Sequence, residues 1–373
     1  MNTPNFNIMK KTNPKIIVEP GMIAKIIEVC KMKHLWVTLY TSSWETKLKK
    51  MLETYNAQIV KLDVFGRGDK FNRIMSRIGK LYGELPVNWI DCGSCYGKYF
   101  AGMQVHAVSG VRAGTICIDR KPAAQFYEDD SIKCCVAANV LPDSLSASRK
   151  KQAKEVMDKL EKILGKAGMD MLNVVRTWFY NDNILRWYDD FNEVRNIFYG
   201  RKNVFKGIVP ASTCIGTKNI FRSAIVAGAM AVKQKTGAVS VNNLSSPMQR
   251  SAIEYGSSFS RAVEVKMPGY RQIFVSGTAS IDKNGKTVHH DNAYAQVEYT
   301  MEVVNKILKS CRLGLSDITR AVAYFKNEGD ISAFKKYSEK RRIPPIPLVI
   351  TLGKICRKDL LFEIELDLAV LLS

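Results

Sequence analysis

The clearest hydrophobic pattern in the chain lies near its C-terminal end and alternates with a period of two. Apolar side chains take one set of alternate positions, namely Leu360, Phe362, Ile364, Leu366, Leu368 and Val370. This alternation predicts a β-strand with one face in a core. The opposite face carries the carboxylates of Glu363, Glu365 and Asp367. A solvent-exposed sheet face is the simplest interpretation of this acidic row, and a specific role for one of the acids is the alternative.

Further upstream, the same order of strand and helix patterns occurs twice. Two strands, a helix, a strand, a second helix and two more strands are predicted from about residue 103 to 232, and again from about 271 to 371. The long helices match in register, since Val156 and Leu160 in the first correspond to Val297 and Met301 in the second. We therefore predict an α+β protein of tandem modules, each a mixed β-sheet with two helices packed on one face. A chance similarity between two ordinary α+β domains is the alternative.

The predicted domain boundaries follow from this repeat. Residues 1–85 are an N-terminal extension of unclear fold, residues 86–236 the first module and residues 255–373 the second module. Residues 237–254 contain several turn-forming Asn, Ser and Pro residues, so we predict that this segment links the two modules.

Composition places the chain among ordinary globular proteins, with 46% apolar and 24% charged residues in a length of 373. No apolar run is long enough to cross a bilayer, and we predict that the N-terminus is not a signal peptide. The nine cysteines are scattered, which predicts reduced thiols and a cytoplasmic location. Cys92 and Cys95 form a CxxC pair, but no second pair or nearby His pair accompanies it, so we predict no metal site.

The net charge of +21 points either to a nucleic acid or to an anionic small molecule as partner. The basic residues are spread along the whole chain, and no basic stripe is interleaved with aromatic residues. We therefore predict an anionic small-molecule substrate, no nucleic acid and no membrane partner.

Four stretches stand out as candidate chemistry, each with an ordinary turn or core strand as the alternative. Residues 255–261 form a Gly/Ser-rich loop ending in Arg261, which can hold a carboxylate. Residues 276–280 place Gly277 at a strand end, where a ligand can approach the backbone. Residues 175–180 place Arg176, Trp178 and Tyr180 on one face of a predicted strand. The fourth stretch runs from Cys356 to the acidic strand.

These stretches resemble a known family. The sequence at 276–279 and the acidic strand are similar to the YjgF-like reactive-intermediate deaminase superfamily. More specifically, the segments 176–180, 187–192, 210–213, 246–247, 255–261, 276–281 and 356–365 resemble the chorismatases. The resemblance implies tandem YjgF-like modules of the chorismate mutase-like, bacillus-type fold. It also implies hydrolysis of chorismate to pyruvate plus a dihydroxycyclohexadiene carboxylate or a hydroxybenzoate, without a cofactor.

The resemblance assigns Glu363 as the acid that protonates the substrate, while Glu365 and Asp367 are expected to be solvent-exposed. Because the last strand of the first module carries no acid, we expect one active centre, formed by the second module with help from the first. Two positions are expected to determine the product: a cysteine at Cys356 resembles the 3-hydroxybenzoate producers, and an alanine at Ala279 the diene-diol producers. The predicted substrate-binding residues are Arg261, Arg176, Tyr180, Tyr255, Ser257, Phe259, Gly277 and Thr278.

The simple deaminases of the superfamily hold the substrate carboxylate with an arginine in a Pro-x-Arg segment, which is missing from both modules here. An enamine or imine deaminase therefore remains only an alternative, together with a non-catalytic ligand- or RNA-binding protein. Simple members form trimers with sites between subunits. A tandem chain could meet that need alone, so both a monomer and a trimer are compatible with the sequence.

Overall fold

The structure confirms the α+β architecture but contains three modules rather than two. The computed structural model describes residues 14–29, 31–93 and 99–372. It has three six-stranded sheets that follow one another along the chain with the same strand order. In each sheet the first three strands form an antiparallel ribbon, the sixth strand lies next to the third, and the fourth and fifth complete the sheet as a parallel pair.

Each module has the element order β-β-β-α-β-α-β-β. The first consists of β1 (Lys15–Glu19), β2 (Met22–Val29), β3 (Met32–Leu39), α1 (Trp44–Tyr55), β4 (Gln58–Gly66), α2 (Phe71–Tyr82), β5 (Asn88–Asp91) and β6 (Phe100–Ser109). The second consists of β7 (Arg112–Ile118), β8 (Lys121–Glu128), β9 (Ile132–Val140), α3 (Arg149–Lys166), β10 (Val174–Asn181), α4 (Tyr188–Arg201), β11 (Ala211–Gly216) and β12 (Ile225–Gln234). The third consists of β13 (Ser240–Leu244), β14 (Ala262–Met267), β15 (Tyr270–Ala279), α5 (Ala293–Ser310), β16 (Ile318–Phe325), α6 (Ile331–Arg341), β17 (Leu348–Leu352) and β18 (Phe362–Leu371).

The predicted boundary at residue 86 was wrong, because β5 and β6 belong to the same sheet as β1–β4. Similarly, β13 lies within the predicted linker at 237–254 but pairs with β14 of the third sheet. The sequence did not predict the first module, because β2, β3 and β4 are buried on both faces over most of their length. Strands of this kind carry near-continuous apolar residues and lose the period-two signal.

The helices cover one face of each sheet and form a separate apolar core there with the strands beneath them. The opposite faces of all three sheets turn inward and share one central core, to which Trp36, Trp178 and Phe274 contribute from the three modules. On β18 the apolar positions 362, 364, 366 and 368 face the helices. Its acidic face therefore points into the centre of the protein.

This arrangement overturns the expectation that Glu365 and Asp367 are solvent-exposed, since their exposed fractions are 0% and 7%. The face that an isolated sheet would present to water is covered here by the other two sheets. Buried carboxylates need compensating charges, and the neighbouring strands supply them. The central ionic cluster consists of Lys61, Asp63, Arg176, Arg320, Glu365 and Asp367.

The central ionic cluster joins all three modules and contains equal numbers of cations and anions. Arg320 of β16 contacts Asp63 of β4 at 3.2 Å and Glu365 of β18 at 2.7 Å. Arg176 of β10 donates to Glu365 at 2.5 Å. The indole of Trp178 lies 5.0 Å from the Arg176 guanidinium carbon and 5.5 Å from that of Arg320. Ion pairs within a module and ion pairs between modules therefore both balance the buried charges.

Two further observations concern predictions made from composition. No helix in the described ranges is long and apolar enough to span a membrane. Cys92 is disulfide-bonded, so the prediction of reduced thiols is wrong at this residue.

Candidate active site

The candidate site is organised around Glu363, at the start of β18. This residue pairs with Ala279 of β15, and the register of the two strands shifts between Val275 and Thr278. Such a shift marks a β-bulge, which bends the strand and re-aims its side chains. Gly277 lies in this bulge with its α-carbon against the Glu363 carboxyl. A Cβ atom added to Gly277 would lie 2.0 Å from Glu363 Oε1, so a side chain at this position would displace the acid.

The bulge is also where the second module meets the third. The Ser276 hydroxyl donates to the Ser260 carbonyl at 2.5 Å and accepts from the Ser212 backbone N–H of β11 at 2.8 Å. The Gly277 N–H donates to the Thr213 hydroxyl, also on β11, at 3.1 Å. These bonds hold β11 of the second module against β15 of the third and bring α4 over the Glu363 side chain.

A cavity of about 590 Å³ lies between the two modules at this seam. Its volume is typical of sites that enclose a small organic ligand. The third module contributes Glu363 and the loops before β14 and β18, whereas the second contributes one face of α4. The lining residues are Tyr188, Asp189, Asn192, Glu193, Asn196, Ile197, Gly256, Ser257, Phe259, Arg261, Gly277, Ala279, Ile281, Cys356, Arg357, Leu360 and Glu363.

The cavity brings together most of the residues proposed from the sequence. These are Glu363, Cys356, Ala279, Arg261, Ser257, Phe259 and Gly277. Thr278 is buried behind the wall, where its hydroxyl donates to the Ser276 carbonyl at 2.9 Å. The side chain of Tyr255 lies outside what the structure describes. The expected position of the site, in the C-terminal module with help from the module before it, agrees with the cavity.

Arg176 and Tyr180 do not line this cavity, which does not fit their predicted contact with substrate. Arg176 has an exposed fraction of 0% and donates through Nη2 to Glu365 and to the Thr213 hydroxyl. Tyr180 is buried on the same face of β10, and its pKa is raised by burial and by the charges of Asp63 and Glu365. Both residues therefore belong to the central core beneath the site.

The sequence reading assigned no role to the α4 side of the cavity or to Arg357. The segment 187–192 was recognised as a family-like motif, but that signal gave no indication of which side chains face the site. Asn196 of α4 donates to the Gly256 carbonyl at 3.2 Å and accepts a hydrogen bond from the Ser258 hydroxyl. This residue therefore ties the loop before β14 to the helix of the neighbouring module.

Glu363 lies in surroundings that favour its protonated form. It is 5% exposed and has no hydrogen-bond partner among the described residues. Burial raises the pKa of its carboxyl to about 8, with a further upward contribution from Glu365 and an opposing one from Arg176. Cys356 on the same wall also stays protonated, since burial and the nearby Glu363 raise the pKa of its thiol to about 12. At neutral pH the site thus presents a carboxylic acid that can donate a proton.

Two cations complement this acid. Arg261 is held by bonds from Nε and Nη2 to the Arg250 carbonyl at 3.0 and 2.9 Å, and its guanidinium lies over the Phe259 ring. Arg357 donates from Nη1 to the Gly285 carbonyl at 2.7 Å. Guanidinium groups suit the recognition of carboxylates. Among the described residues, no cluster of three or more His, Cys, Asp or Glu side chains could hold a metal ion.

Comparisons with known proteins show what this chain is similar to in sequence and fold. The profile of the Endoribonuclease L-PSP family matches residues 249–370, which is most of the third module. A chorismatase from Streptomyces rapamycinicus is 27% identical over 214 residues, covering 52% of this chain and 63% of that protein. The crystal structure of a chorismatase at 1.08 Å resolution superposes with a TM-score of 0.61 and 18% identity, covering 83% of this chain and 93% of the other.

This chain is similar in sequence and fold to the chorismatases, and its third module matches the Endoribonuclease L-PSP family. The structural match extends over all but a small part of the chorismatase and shows that the three-module architecture is shared. The matched segment spans less than two thirds of the length of the Streptomyces relative. The structural similarity shows the fold, and the activity is proposed below from the site.

Proposed function

We propose that this chain hydrolyses the enolpyruvyl ether of chorismate, releasing pyruvate, with Glu363 as the general acid. The observation that carries this proposal is the buried Glu363 carboxyl, which has no hydrogen-bond partner among the described residues and faces a cavity with two arginines. Enol ether hydrolysis requires a proton donor that remains protonated near neutral pH and can reach a carbon atom. The name of the Streptomyces relative, chorismatase, indicates the same substrate.

In the proposed reaction, the Glu363 carboxyl protonates the methylene carbon of the enol ether, and an oxocarbenium ion forms. Water, or a hydroxyl of the substrate itself, adds to this cation and returns a proton to the Glu363 carboxylate. When water is the nucleophile, the resulting hemiketal collapses to pyruvate and a dihydroxycyclohexadiene carboxylate. The acid is regenerated in each turnover, because the proton that it donates is replaced by one from the nucleophile.

Chorismate is a dianion, and Arg261 and Arg357 are placed to neutralise its two carboxylates. Both line the cavity together with Glu363. The excess of basic residues in the whole chain also favours capture of a dianion. The most direct test is incubation with chorismate coupled to lactate dehydrogenase, where NADH consumption reports pyruvate.

The same assay separates the alternatives. Absence of pyruvate, combined with ammonia release from an enamine or imine, would favour a deaminase. A salt-dependent shift on RNA with no loss of chorismate would favour a nucleic-acid-binding protein.

Cys356→Ala is expected to change the ratio of products without abolishing pyruvate release. The Cys356 thiol lies on the cavity wall near Glu363, where removal of the sulfur changes how the ring of the intermediate is held and how water enters. The measurement is chromatography of the aromatic and diene products from equal amounts of consumed chorismate. Ala279→Cys, on β15, is the matched variant, and an unchanged ratio in both would remove this pair from product control.

Gly277→Ala is expected to lower kcat/KM for chorismate by about 100-fold, because misplacing a reacting group by about 1 Å has effects of this size. The added Cβ would collide with Glu363 Oε1, and the flexible end of the Glu side chain would give way. The fold should persist, since Gly277 does not have a positive φ. Gly79→Ala is the control, because nothing lies within 4 Å of the added atom in α2. Equal activity of the two variants would contradict the role of Gly277.

A further inference from the structure

Two glutamates on one face of β18 have opposite surroundings. Glu365 accepts hydrogen bonds from Arg176 Nη2 at 2.5 Å, Trp178 Nε1 at 3.0 Å, Arg320 Nη2 at 2.7 Å and the Tyr324 hydroxyl at 3.4 Å. Glu363, two positions earlier, has no hydrogen-bond partner among the described residues and faces the cavity. A carboxyl that accepts bonds from two guanidinium groups must be ionised. Glu365 is therefore a fixed negative charge beneath the proposed catalytic acid.

This fixed charge is close enough to act on its neighbour. Side chains two positions apart on a strand lie about 7 Å apart on the same face. Both carboxyls are buried, so water does little to screen one from the other. A like charge at this range disfavours ionisation of the second group, and pairs of this kind commonly divide the roles of acid and anion in active sites.

The other charged groups around Glu363 are few. Arg176 approaches it from β10 below the cavity. Tyr324 is its cross-strand partner on β16. Asp189 and Glu193 of α4 line the cavity but are exposed, so solvent screens them. In the described part of the chain, the remaining titratable neighbours are Tyr188, Cys214, Arg261, Cys356 and Arg357.

We propose that Glu365 is a positioning residue for catalysis: held ionised by Arg176 of the second module and Arg320 of the third, it keeps the Glu363 carboxyl protonated in the working pH range. The first module takes part through Asp63, which bonds Arg320 at 3.2 Å and so balances the charge on its far side. This inference rests on the proposed function, and it gives all three modules a part in one active site.

The test compares two substitutions with opposite expected effects on the pH profile of kcat/KM for pyruvate release. Glu365→Gln removes the negative charge and keeps the shape, so the fall in activity at high pH should move at least about one unit lower. Arg176→Met removes the positive charge that opposes the effect of Glu365 on Glu363, while Arg320 still holds Glu365 ionised, so the fall in activity should move to higher pH. Glu365→Asp keeps the negative charge, so kcat/KM should fall at the same high pH as in the wild type. Damage to the fold alone would lower kcat/KM at every pH and would leave unchanged the pH at which it falls.

A readout without substrate separates this inference from the proposed activity. Infrared difference spectra between the wild type and Glu363→Gln report the protonated carboxyl of Glu363 as the pH is varied. The signal should titrate at lower pH when Glu365→Gln is the background and at higher pH when Arg176→Met is. If Glu365→Gln does not fold, the Arg176→Met titration decides alone.

The outcomes are distinct. Titration of Glu363 at the same pH in all backgrounds would overturn the role of Glu365. An increase in KM for Arg176→Met without a shift in the pH at which kcat/KM falls would do the same, and would instead support direct substrate binding by Arg176. Absence of pyruvate release together with the expected infrared shifts would reject only the proposed function.

Discussion

Replacing Glu363 with Gln is expected to lower pyruvate release from chorismate by about 10²- to 10⁴-fold, the range that a positioned proton donor contributes. The amide has nearly the same shape as the carboxylic acid but no proton that it can transfer to carbon. The lactate dehydrogenase coupled assay measures the effect, and circular dichroism checks the fold. Glu339→Gln, at an exposed position on α6, is the matched control and should keep full activity. Undiminished turnover by the Glu363 variant would remove the residue from the mechanism.

The same substitution should also stabilise the protein at neutral pH. Unfolding exposes Glu363, whose carboxyl then ionises near its ordinary pKa of 4.5, whereas in the fold its pKa is about 8. Between these values the folded state binds more protons than the unfolded state, so stability falls as the pH rises. At pH 7 the ionisation of Glu363 on unfolding lowers the free energy of unfolding by about 3 kcal/mol. The Gln variant cannot ionise at this position, so its free energy of unfolding should not be lowered in this way. Denaturation midpoints at pH 4.5 and pH 7 measure the difference, which should be close to zero at the lower pH. An equal difference at both would contradict the raised pKa.

Replacing Arg320 with Met is expected to destabilise the protein by about 3–5 kcal/mol, the cost of removing one partner from a buried ion pair. Arg320 contacts Asp63, Glu365 and Asp367, and its side chain is 6% exposed. Without it, three buried carboxylates would share only Lys61 and Arg176. Burial favours the neutral form of Glu365, but Arg320 and Arg176 outweigh this effect and lower its pKa. Without Arg320, a buried carboxylate would have to take up a proton, or the structure around it would have to open to water.

The control for this prediction is Arg341→Met on α6. Arg341 also pairs with a glutamate, Glu298, at 2.9 Å, but the two side chains are 54% and 36% exposed. Surface pairs of this kind contribute about 0–1 kcal/mol. Urea denaturation followed by tryptophan fluorescence should separate the two variants, because the Trp178 ring packs against Arg320 of the central ionic cluster. Similar midpoints for both would mean that the central ionic cluster contributes no more than a surface pair.

Several features could be predicted from the sequence because they depend on local patterns. The alternation at 360–370 predicted β18 and its two faces, and the helical spacing at 156 and 160 predicted α3. The family-like segments predicted most of the cavity wall on the third module, since a motif of consecutive residues keeps its shape wherever it docks. They also predicted that Glu363 is distinct from the other two acids.

Other features of the fold and of the candidate site could not be predicted from local sequence patterns. The first module was missed because strands that are buried on both faces lose their alternation. Arg176 carries the right chemistry for a substrate carboxylate, but its position on β10 directs it to Glu365 beneath the cavity. Asn196 and Arg357 reach the site only because α4 and the loop before β18 meet across a module boundary.

The sequence by itself determined the α+β class, the face on which each β18 side chain lies and the row of three acids on one of those faces. Only the tertiary structure decided what covers the acidic face. A period-two pattern states that two faces differ, but it does not state whether the polar face meets water or another sheet. Here it meets two other sheets, where Arg176 of β10 contacts Glu365, and Arg320 of the neighbouring strand β16 adds a second cation. The contrast between an ionised Glu365 and a protonated Glu363 is therefore a property of three packed modules.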